Sequence, residues 1–409
     1  MCEKEVNLME QTVSIKVKLL TGQQPDFDAL TNRFTEVCNY ISVWIFNHDF
    51  ELNQSEINKR IYYDIRKRFS FKSQLTQSAI RCVVGKYKTI QTQLKKKPFR
   101  YYDKKTKKAY KVKRDLHWLQ KQISFVQPQA DLQRNRDWSV VDGQLSINTL
   151  QDRVKVDYIC KGFDKYLNNG WKLGIGKLLK RNNQWYFYIS ATKDMPDYQL
   201  DQTRHVVGID RGLRFLVTCY NEKGQTLFCS GDSVMHKRRH YKNLRAELQR
   251  RKTPSARRRL KKIGHKENRW MSDLNHCLSK TLLKRYGKDT LFVLEDLEDV
   301  TFNTTKKRKK ENRYEHNSWA FYQLEQDLTY KAHLNGCEVV KVSAAYTSQR
   351  CVKCGRINKD NRNHSKHLYI CDRCGYKSND DRIAAMNIQQ LGAWYVSGNK
   401  TPKFQKLGN

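Results

Sequence analysis

The sequence predicts a multidomain chain of mixed α/β class, and three changes of hydrophobic rhythm carry that prediction. Apolar residues recur every three or four positions from about residue 27 to 95 and every second position from about 122 to 193; after residue 205 short apolar runs alternate with longer amphipathic ones. A chain of 409 residues has room for two or three cores.

The first element is a strand, because "QTVSIKVKLL" (11–20) alternates Val13, Ile15 and Val17 before "TGQQPD" breaks it. A helix follows just after Pro25 and Asp26, with Phe27, Leu30, Phe34, Val37, Ile41 and Trp44 on its buried face. "NQSEINKRIYYDIRKRF" and "SQLTQSAIRCVVGKYKTIQTQL" keep the helical period and complete an antiparallel helical domain. In "KKKPFRYYDKKTKKAYKVKR" (95–114) Phe99, Tyr101, Tyr102 and Tyr110 are interleaved with Lys and Arg. Two readings stand for it: rings that stack on RNA bases while cations hold phosphates, or a solvated charged connector.

The period-two segments are "ISFVQ", "DWSVVDGQLSI", "DRVKVDYIC" and "WKLGIGKLLKRNNQWYFYISATK", the last turning at Asn182 and Asn183 as a hairpin. They predict a small β-barrel over 116–203, joined by the first strand (1–22) if the helices of 23–115 are an insertion. Trp185, Tyr186, Phe187 and Tyr188 then divide between its core and its outer face.

From residue 204 to 409 the expected order is three strands ("HVVGID", "LRFLVTCY", "GQTLFCS"), long helices, strand "TLFVLE", helix "SWAFYQLEQDLTYKAHLNG", strand "CEVVKVSAAY" and helix "DDRIAAMNIQQLGAWYV". That is the order of the RNase H-like fold. Before the last helix, Cys351, Cys354, Cys371 and Cys374 read C-x2-C, sixteen residues, C-x2-C, the spacing of one structural Zn²⁺ with four thiolates. Gly355 and Gly375 follow the second cysteine of each pair, where a tight turn needs them, so two agreeing turns displace the alternative of a C-x-x-C redox motif. The predicted zinc module is an insertion at 346–378; His364 and His367 in its loop are expected to face nucleic acid.

Composition points to the partner. Seventy-nine Lys and Arg against forty-one Asp and Glu leave +38, spread along the chain, which favours a long polyanion such as nucleic acid. His236 to Lys266 hold fourteen Lys or Arg and one acid, Glu247, with an apolar edge of Leu244, Leu248, Leu260 and Ile263; such a face suits a duplex. "KKRKKENR" (306–313) is expected to be a mobile loop at the cleft mouth. The other eight cysteines, unpaired in spacing, read as buried thiols of a reducing compartment. No apolar run has the length of a membrane span and the first residues carry no signal sequence, so a soluble, cytoplasmic protein is expected.

Three acids stand where carboxylates are costly unless they face a cation or a cleft. Asp210 ends "VVGID", Glu295 ends "TLFVLE", and the third is Asp380 or Asp381 in the first turn of the last helix. Singly, each has a plain explanation, a helix cap for Asp380 or Asp381 and a pair with Arg211 for Asp210. Together, on two strand ends and a helix start, they suit one or two Mg²⁺ ions about 4 Å apart and the hydrolysis of a phosphodiester.

"GIDRG", "LEDLEDV", "SWAFYQLEQDLTYKAHLNGCEVVKV", "YTSQRCVKCG" and "YICDRCGYKSNDDRIAAMNI", in this order across 205–392, resemble the TnpB family of transposon-encoded RNA-guided endonucleases, related to the miniature type V CRISPR effectors. The resemblance implies a RuvC-like nuclease domain, a helical recognition domain and a β-barrel wedge domain. It puts the metal-binding acids on Asp210, on Glu295 rather than Asp296, and on Asp381 rather than Asp380, because the family's acid stands three residues before two alanines, here Ala384 and Ala385. The chain departs from the family at Ile383, where Asn is usual, and at Asn379, Asp380 and Asp381, where Asp-Arg-Asp is usual; neither change removes a ligand. Implied partners are a guide RNA from the transposon end (omega RNA) and double-stranded target DNA cut beside a short flanking motif, by a monomer whose zinc module loads the target strand. A strand-transferring transposase of the same fold would carry Asp, Asp, Glu in order, and a binder that no longer cuts would lack an acid. A CRISPR-associated effector with a separate crRNA would differ only in its neighbouring DNA.

Overall fold

The computed structural model describes residues 8–20, 25–103, 105–106, 108–167, 169–297, 321–363 and 365–405. The basic run 306–313 and His364 lie outside them. The chain divides into two units, Glu10–Asp194 and Met195–Asn409, the latter together with Met1–Met9.

In the first unit the helical periods become α1 (Pro25–Asn47), α2 (Gln54–Phe69) and α3 (Ser73–Lys96). Phe27, Leu30, Phe34, Val37 and Ile41 are buried, but the stripe continues to Ile45 while Trp44 is only partly covered and stacks on His48. The 3.6-residue turn carries the apolar face past Trp44. After α3, β2 (Phe99–Asp103) and β3 (Lys108–Val112) form a two-stranded sheet, with no third strand among the described residues.

The period-two segments become β4 (Gln129–Leu132), β5 (Trp138–Val141), β6 (Gln144–Asn148), β7 (Arg153–Val156), β8 (Tyr158–Ile159), a one-turn α4 (Asp164–Leu167), β9 (Lys172–Arg181) and β10 (Gln184–Pro196). With β1 (Leu8–Leu19), five of them form one sheet, β4-β9-β10-β1-β8, and the other three form a meander, β5-β6-β7. The strands expected in one barrel are therefore hydrogen-bonded as two sheets. The two-residue turn Asp142–Gly143, both with positive φ, folds β5 onto β6 and closes the meander on itself. Inner faces of both sheets and the helices share one core: Trp138 meets Phe187 edge-on at 5.2 Å, and Phe27 of α1 meets Trp185 at 5.4 Å. Trp185 and Phe187 point inward, Tyr186 and Tyr188 to the other face.

The second unit is built on β11 (His205–Asp210), β12 (Phe215–Asn221), β13 (Thr226–Ser230), α5 (Asp232–Arg251), α6 (Pro254–Tyr286), β14 (Thr290–Asp296), α7 (Phe321–Leu334), β15 (Glu338–Ser343), the short β16 (Arg362–Asn363), β17 (Leu368–Ile370) and β18 (Lys377–Asn379), and α8 (Asp380–Val396). Its sheet runs β13-β12-β11-β14-β15, antiparallel among the first three strands and parallel from β11 through β14 to β15. Thr290 to Leu294 are all buried, as a central parallel strand covered on both faces requires. Phe292 and Leu294 pack with Leu282 and Leu328 of α6 and α7, and Leu291 and Val293 with Ile388 and Leu391 of α8.

The apolar edge of the basic helices zips α5 to α6: Leu248, Ala256 and Ile263 are buried with Leu244 and Leu260 against them. Arg238 is buried too, and Arg245 pairs with Glu267, so not all fourteen cations face outward. Cys277 on α6 is exposed, against the expectation of buried thiols, whereas Cys38, Cys219 and Cys337 are buried. Among the described residues no helix is long and apolar enough to cross a membrane.

One contact fixes the height of α8 over the sheet. A Cβ on Gly208 would overlap the Ala385 carbonyl oxygen and the Gln389 backbone, and one on Gly392 would overlap Val293. Gly208→Ala should therefore lower stability by about 1–3 kcal/mol, the usual range for overpacking, in urea denaturation. Unchanged stability would show that α8 can rise off β11 at no cost.

Candidate carboxylate centre and zinc module

β11 and β14 run parallel with Ile209 opposite Leu294, so Asp210 and Glu295 stand together at the carboxyl ends of adjacent strands. α8 starts at the same edge. Its cap is Asn379, whose side-chain oxygen accepts from the Arg382 N–H at 3.0 Å, and not either aspartate; Asp380 and Asp381 fill the first turn. Asp210 and Glu295 line a cleft of about 970 Å³ with Arg362, Lys341, Lys400 and Lys403.

Asp210 is held well above the ordinary carboxyl pKa, first by its burial, then by the negative charges of Glu295 and Asp381. Burial raises Glu295 as well, against the Thr347 hydroxyl and the Arg211 and Arg362 charges. Asp381 is raised by burial and by Asp380, with Arg362 and His367 opposing. A buried carboxyl held up by two negative neighbours, as Asp210 is, is relieved by a dication, and an all-oxygen set suits a hard one such as Mg²⁺.

Of the other acids nearby, Asp296 also lines this cleft, whereas Asp380 and Asp381 do not. Asp296, next to Glu295 and so on the other face of β14, is about half exposed and lies 3.9 Å from Lys341 Nζ. Asp380 is fully buried, 2.8 Å from Arg362 Nε and 3.4 Å from His367 Nδ1. Arg362 also reaches Asp381 at 3.3 Å, with His367 at 3.9 Å. His367, Asp380 and Asp381 would pass for a metal cluster by distance, but the guanidinium on both carboxylates makes them an ion-pair knot.

Several of these contacts are absent from the sequence reading. His367 turns inward to the acids, not out toward nucleic acid. Arg211 leaves Asp210 and spans to Glu325 Oε2 at 2.9 Å and the Glu295 carbonyl at 2.8 Å, almost wholly buried. Thr347 donates its hydroxyl to Glu295. The only advance signal for Arg362 and His367 is their place between the cysteine pairs.

The cysteine pairs form two alike turns. Gly355 N–H bonds the Cys351 carbonyl and Gly375 N–H the Cys371 carbonyl, both at 3.0 Å, with φ of +75° and +66°. All four sulfurs lie within 4.8 Å of one another, Cys351 to Cys374 at 3.6 Å and Cys354 to Cys371 at 3.5 Å. A tetrahedral ion with Zn–S of about 2.3 Å sets sulfurs about 3.8 Å apart, so the donors fit zinc. Burial pushes the Cys351 thiol up to about 12, a barrier to thiolate formation that a bound dication offsets. From this site β16, β17 and β18 pair in register, and β18 runs straight into the Asn379 cap of α8. The module thus delivers Arg362 and His367 onto the acids from one side, and α8 delivers the acids themselves.

A mixed α/β unit with clustered acids at parallel strand ends and a four-cysteine module defines the class. Residues 321–388 match the family described as "Cas12f1-like, TNB domain", and residues 190–300 the family described as "Probable transposase". The chain is 28% identical over 255 residues to a CRISPR-associated endodeoxyribonuclease Cas12f1 of Sulfoacidibacillus thermotolerans, covering 58% of each protein. It is 26% identical over 212 residues to TnpB-like protein L79 of Acanthamoeba polyphaga mimivirus (49% of this chain, 40% of that one). To the putative RNA-guided DNA endonuclease InsQ of Escherichia coli it is 25% identical over 255 residues (56% and 60%). The chain spans about half the length of the curated relatives it matches. Its fold is like that of CasPhi-2 bound to crRNA and phosphorothioate-DNA, with TM-score 0.51, 11% identity and coverage of 96% and 92%. The chain is a relative of the TnpB-like proteins and Cas12f1.

Two outcomes follow from the electrostatics and the module. The folded chain keeps a proton on Asp210 to higher pH than the unfolded chain does, so this group's contribution to stability is lost as pH rises through its raised pKa. Asp210→Asn, without added divalent ion at neutral pH, should then raise the melting midpoint, by about 2–4 °C for each ~1 kcal/mol relieved; a lower midpoint would contradict the strained-acid account. Cys351→Ser should abolish zinc binding in metal analysis of the purified chain; zinc retained in full would contradict the four-thiolate site.

Proposed function

We propose that the chain is an RNA-guided DNA endonuclease of transposon origin, with an RNase H-like (RuvC) nuclease domain at 204–409 and a zinc module inserted at 346–378. The observation that carries the reading is Asp210 and Glu295 side by side at the ends of adjacent parallel strands, with Asp381 near enough that its charge, like that of Glu295, holds the Asp210 carboxyl up. The names of its relatives, which include an endodeoxyribonuclease and an RNA-guided DNA endonuclease, support it. So does the +38 charge, since a polyanion must be held.

Asp210, Glu295 and Asp381 would hold Mg²⁺, two ions in the full site, which when bound ready a water and stabilise the leaving oxygen. The chain's own residues set the geometry. Thr347 fixes the Glu295 carboxylate and Arg211 fixes the strand end beneath it. Arg362 and His367 hold Asp380 and steady Asp381. Lys341, Lys400 and Lys403 line the cleft where a phosphodiester backbone would lie. In this reading residues 23–115 serve as a recognition region and 1–22 with 116–203 as a wedge, and the monomer acts in the cytoplasm on double-stranded DNA next to a short flanking motif. Guide pairing would supply sequence discrimination, a division of labour known for RNA-guided effectors.

The test is plasmid cleavage with two guides and two targets in all four combinations. Cutting should follow the match alone and vanish without RNA; equal cutting in every combination would sink the guided reading. Asp210→Ala, Glu295→Ala and Asp381→Ala should each abolish cleavage while RNA is still bound, and Asp380→Ala should keep a measurable rate. An inactive Asp380→Ala chain beside an active Asp381→Ala chain would reverse the assignment of the third acid.

A further inference from the structure

Residues 95–114 take no part in the carboxylate centre, yet they hold the densest mixture of rings and cations in the first unit: eleven Lys or Arg, four aromatics and one acid, Asp103. Its described residues form a hairpin. β2 and β3 pair in register, Phe99 opposite Val112, Arg100 opposite Lys111 and Tyr101 opposite Tyr110. Asp103 orders the turn, accepting from the Lys105 N–H and the Thr106 hydroxyl at 2.9 Å each, and Arg114 Nε closes the base on the Lys97 carbonyl at 2.7 Å.

Because side chains alternate across a strand, Phe99, Tyr101, Tyr110 and Val112 share one face of the hairpin. Trp118 extends it: it follows buried Leu116, and its ring lies 5.5 Å from Phe99. Tyr101 and Tyr110 stack at 5.3 Å with planes 20° apart. The result is a row of rings, Trp118, Phe99, Tyr101 and Tyr110, each between 37% and 45% exposed. Arg100 and Lys111 occupy the opposite face with Tyr102, and Lys95 to Lys97, Lys113 and Arg114 ring the base.

A cross-strand aromatic pair can steady a hairpin, which accounts for Tyr101 on Tyr110. It does not account for Trp118 and Phe99 in the same open row, nor for the cations around it. Rings stacked on unpaired bases, with phosphates on flanking Lys and Arg, account for both. A duplex would bring the cations phosphates but offer the rings no base face, except at an end.

We propose that this hairpin is a base-stacking arm for an unpaired stretch of RNA. The choice of RNA over DNA rests on the guided-nuclease reading, in which DNA must reach the acids of the other unit; the stacking itself does not. The experiment uses the full chain freed of RNA, in salt high enough to suppress non-specific binding, with three labelled probes in fluorescence anisotropy: oligouridylate, oligothymidylate and an RNA duplex of equal length. Tyr101→Leu/Tyr110→Leu and Trp118→Leu keep apolar bulk but remove the ring faces, and should weaken oligouridylate about 5- to 100-fold while moving the duplex less than about twofold. Tyr101→Phe/Tyr110→Phe should bind as the unaltered chain does, which separates stacking from loss of the hairpin. Equal weakening on all probes, or no weakening, overturns the arm. Tighter binding of oligothymidylate than of oligouridylate overturns its assignment to RNA. None of these readouts needs cleavage, so a chain that cuts with no guide at all would refute the guided reading and leave this result standing.

Discussion

The closeness of α8 to β11 governs the carboxylate centre. Only a backbone without a side chain at Gly208 lets the helix lie against the strand, and only at that height does the first turn of α8 reach the ends of β11 and β14. A methyl group of thickness between them would lift Asp381 away from Asp210, and the three acids would cease to share one field. The suppressed ionisation of Asp210 is thus a consequence of packing: burial and two negative neighbours act on it because the helix cannot stand further off.

The cluster is unfavourable for the fold taken alone. Fixed cations compensate in part: Arg211 under Glu295, and Arg362 with His367 over Asp380 and Asp381. They are arranged unevenly. Asp380 receives the closest contacts and is wholly buried, whereas Asp210 accepts no side-chain hydrogen bond among the described residues and has the more distant charge of Arg362 to oppose its burial. The acid left with the least compensation is the one at the middle of the sheet, where a cation would gain most by binding.

Much of this was legible from the chain. The apolar rhythm located the helices and strands to within a few residues, because burial on one or both faces leaves period 3.6, period 2 or an unbroken run. The cysteine spacing and both glycines located the module, since two residues between thiolates leave little freedom in the turn. What was not legible is long-range. Whether β5, β6 and β7 would join the five-stranded sheet depended on which edges meet, and local alternation says nothing of edges. Asn379 took the cap expected of an aspartate, and His367 turned inward, through neighbours far away in sequence or without a rhythm of their own. Arg211, next to Asp210 in the chain, points to the other side because successive residues past a strand end diverge; its partner Glu325 lies over a hundred positions on.

The same reasoning explains why a four-cysteine module stands against the acids. β16, β17 and β18 have two or three residues each, too few to hold a sheet by their own hydrogen bonds and side chains. The module's core is little more than Tyr369, Ile383 and the buried cysteines. Yet on those strands hang Arg362 and the turn bearing His367, which must be fixed to within a few tenths of an ångström to hold two aspartates. A four-thiolate ion gives a small segment rigidity that it cannot obtain from apolar area. The cysteine site and the carboxylates are therefore neighbours for a mechanical reason: an ion on the four thiolates would stiffen the turns, and the turns orient the cations that hold Asp380 closely and Asp381 more loosely.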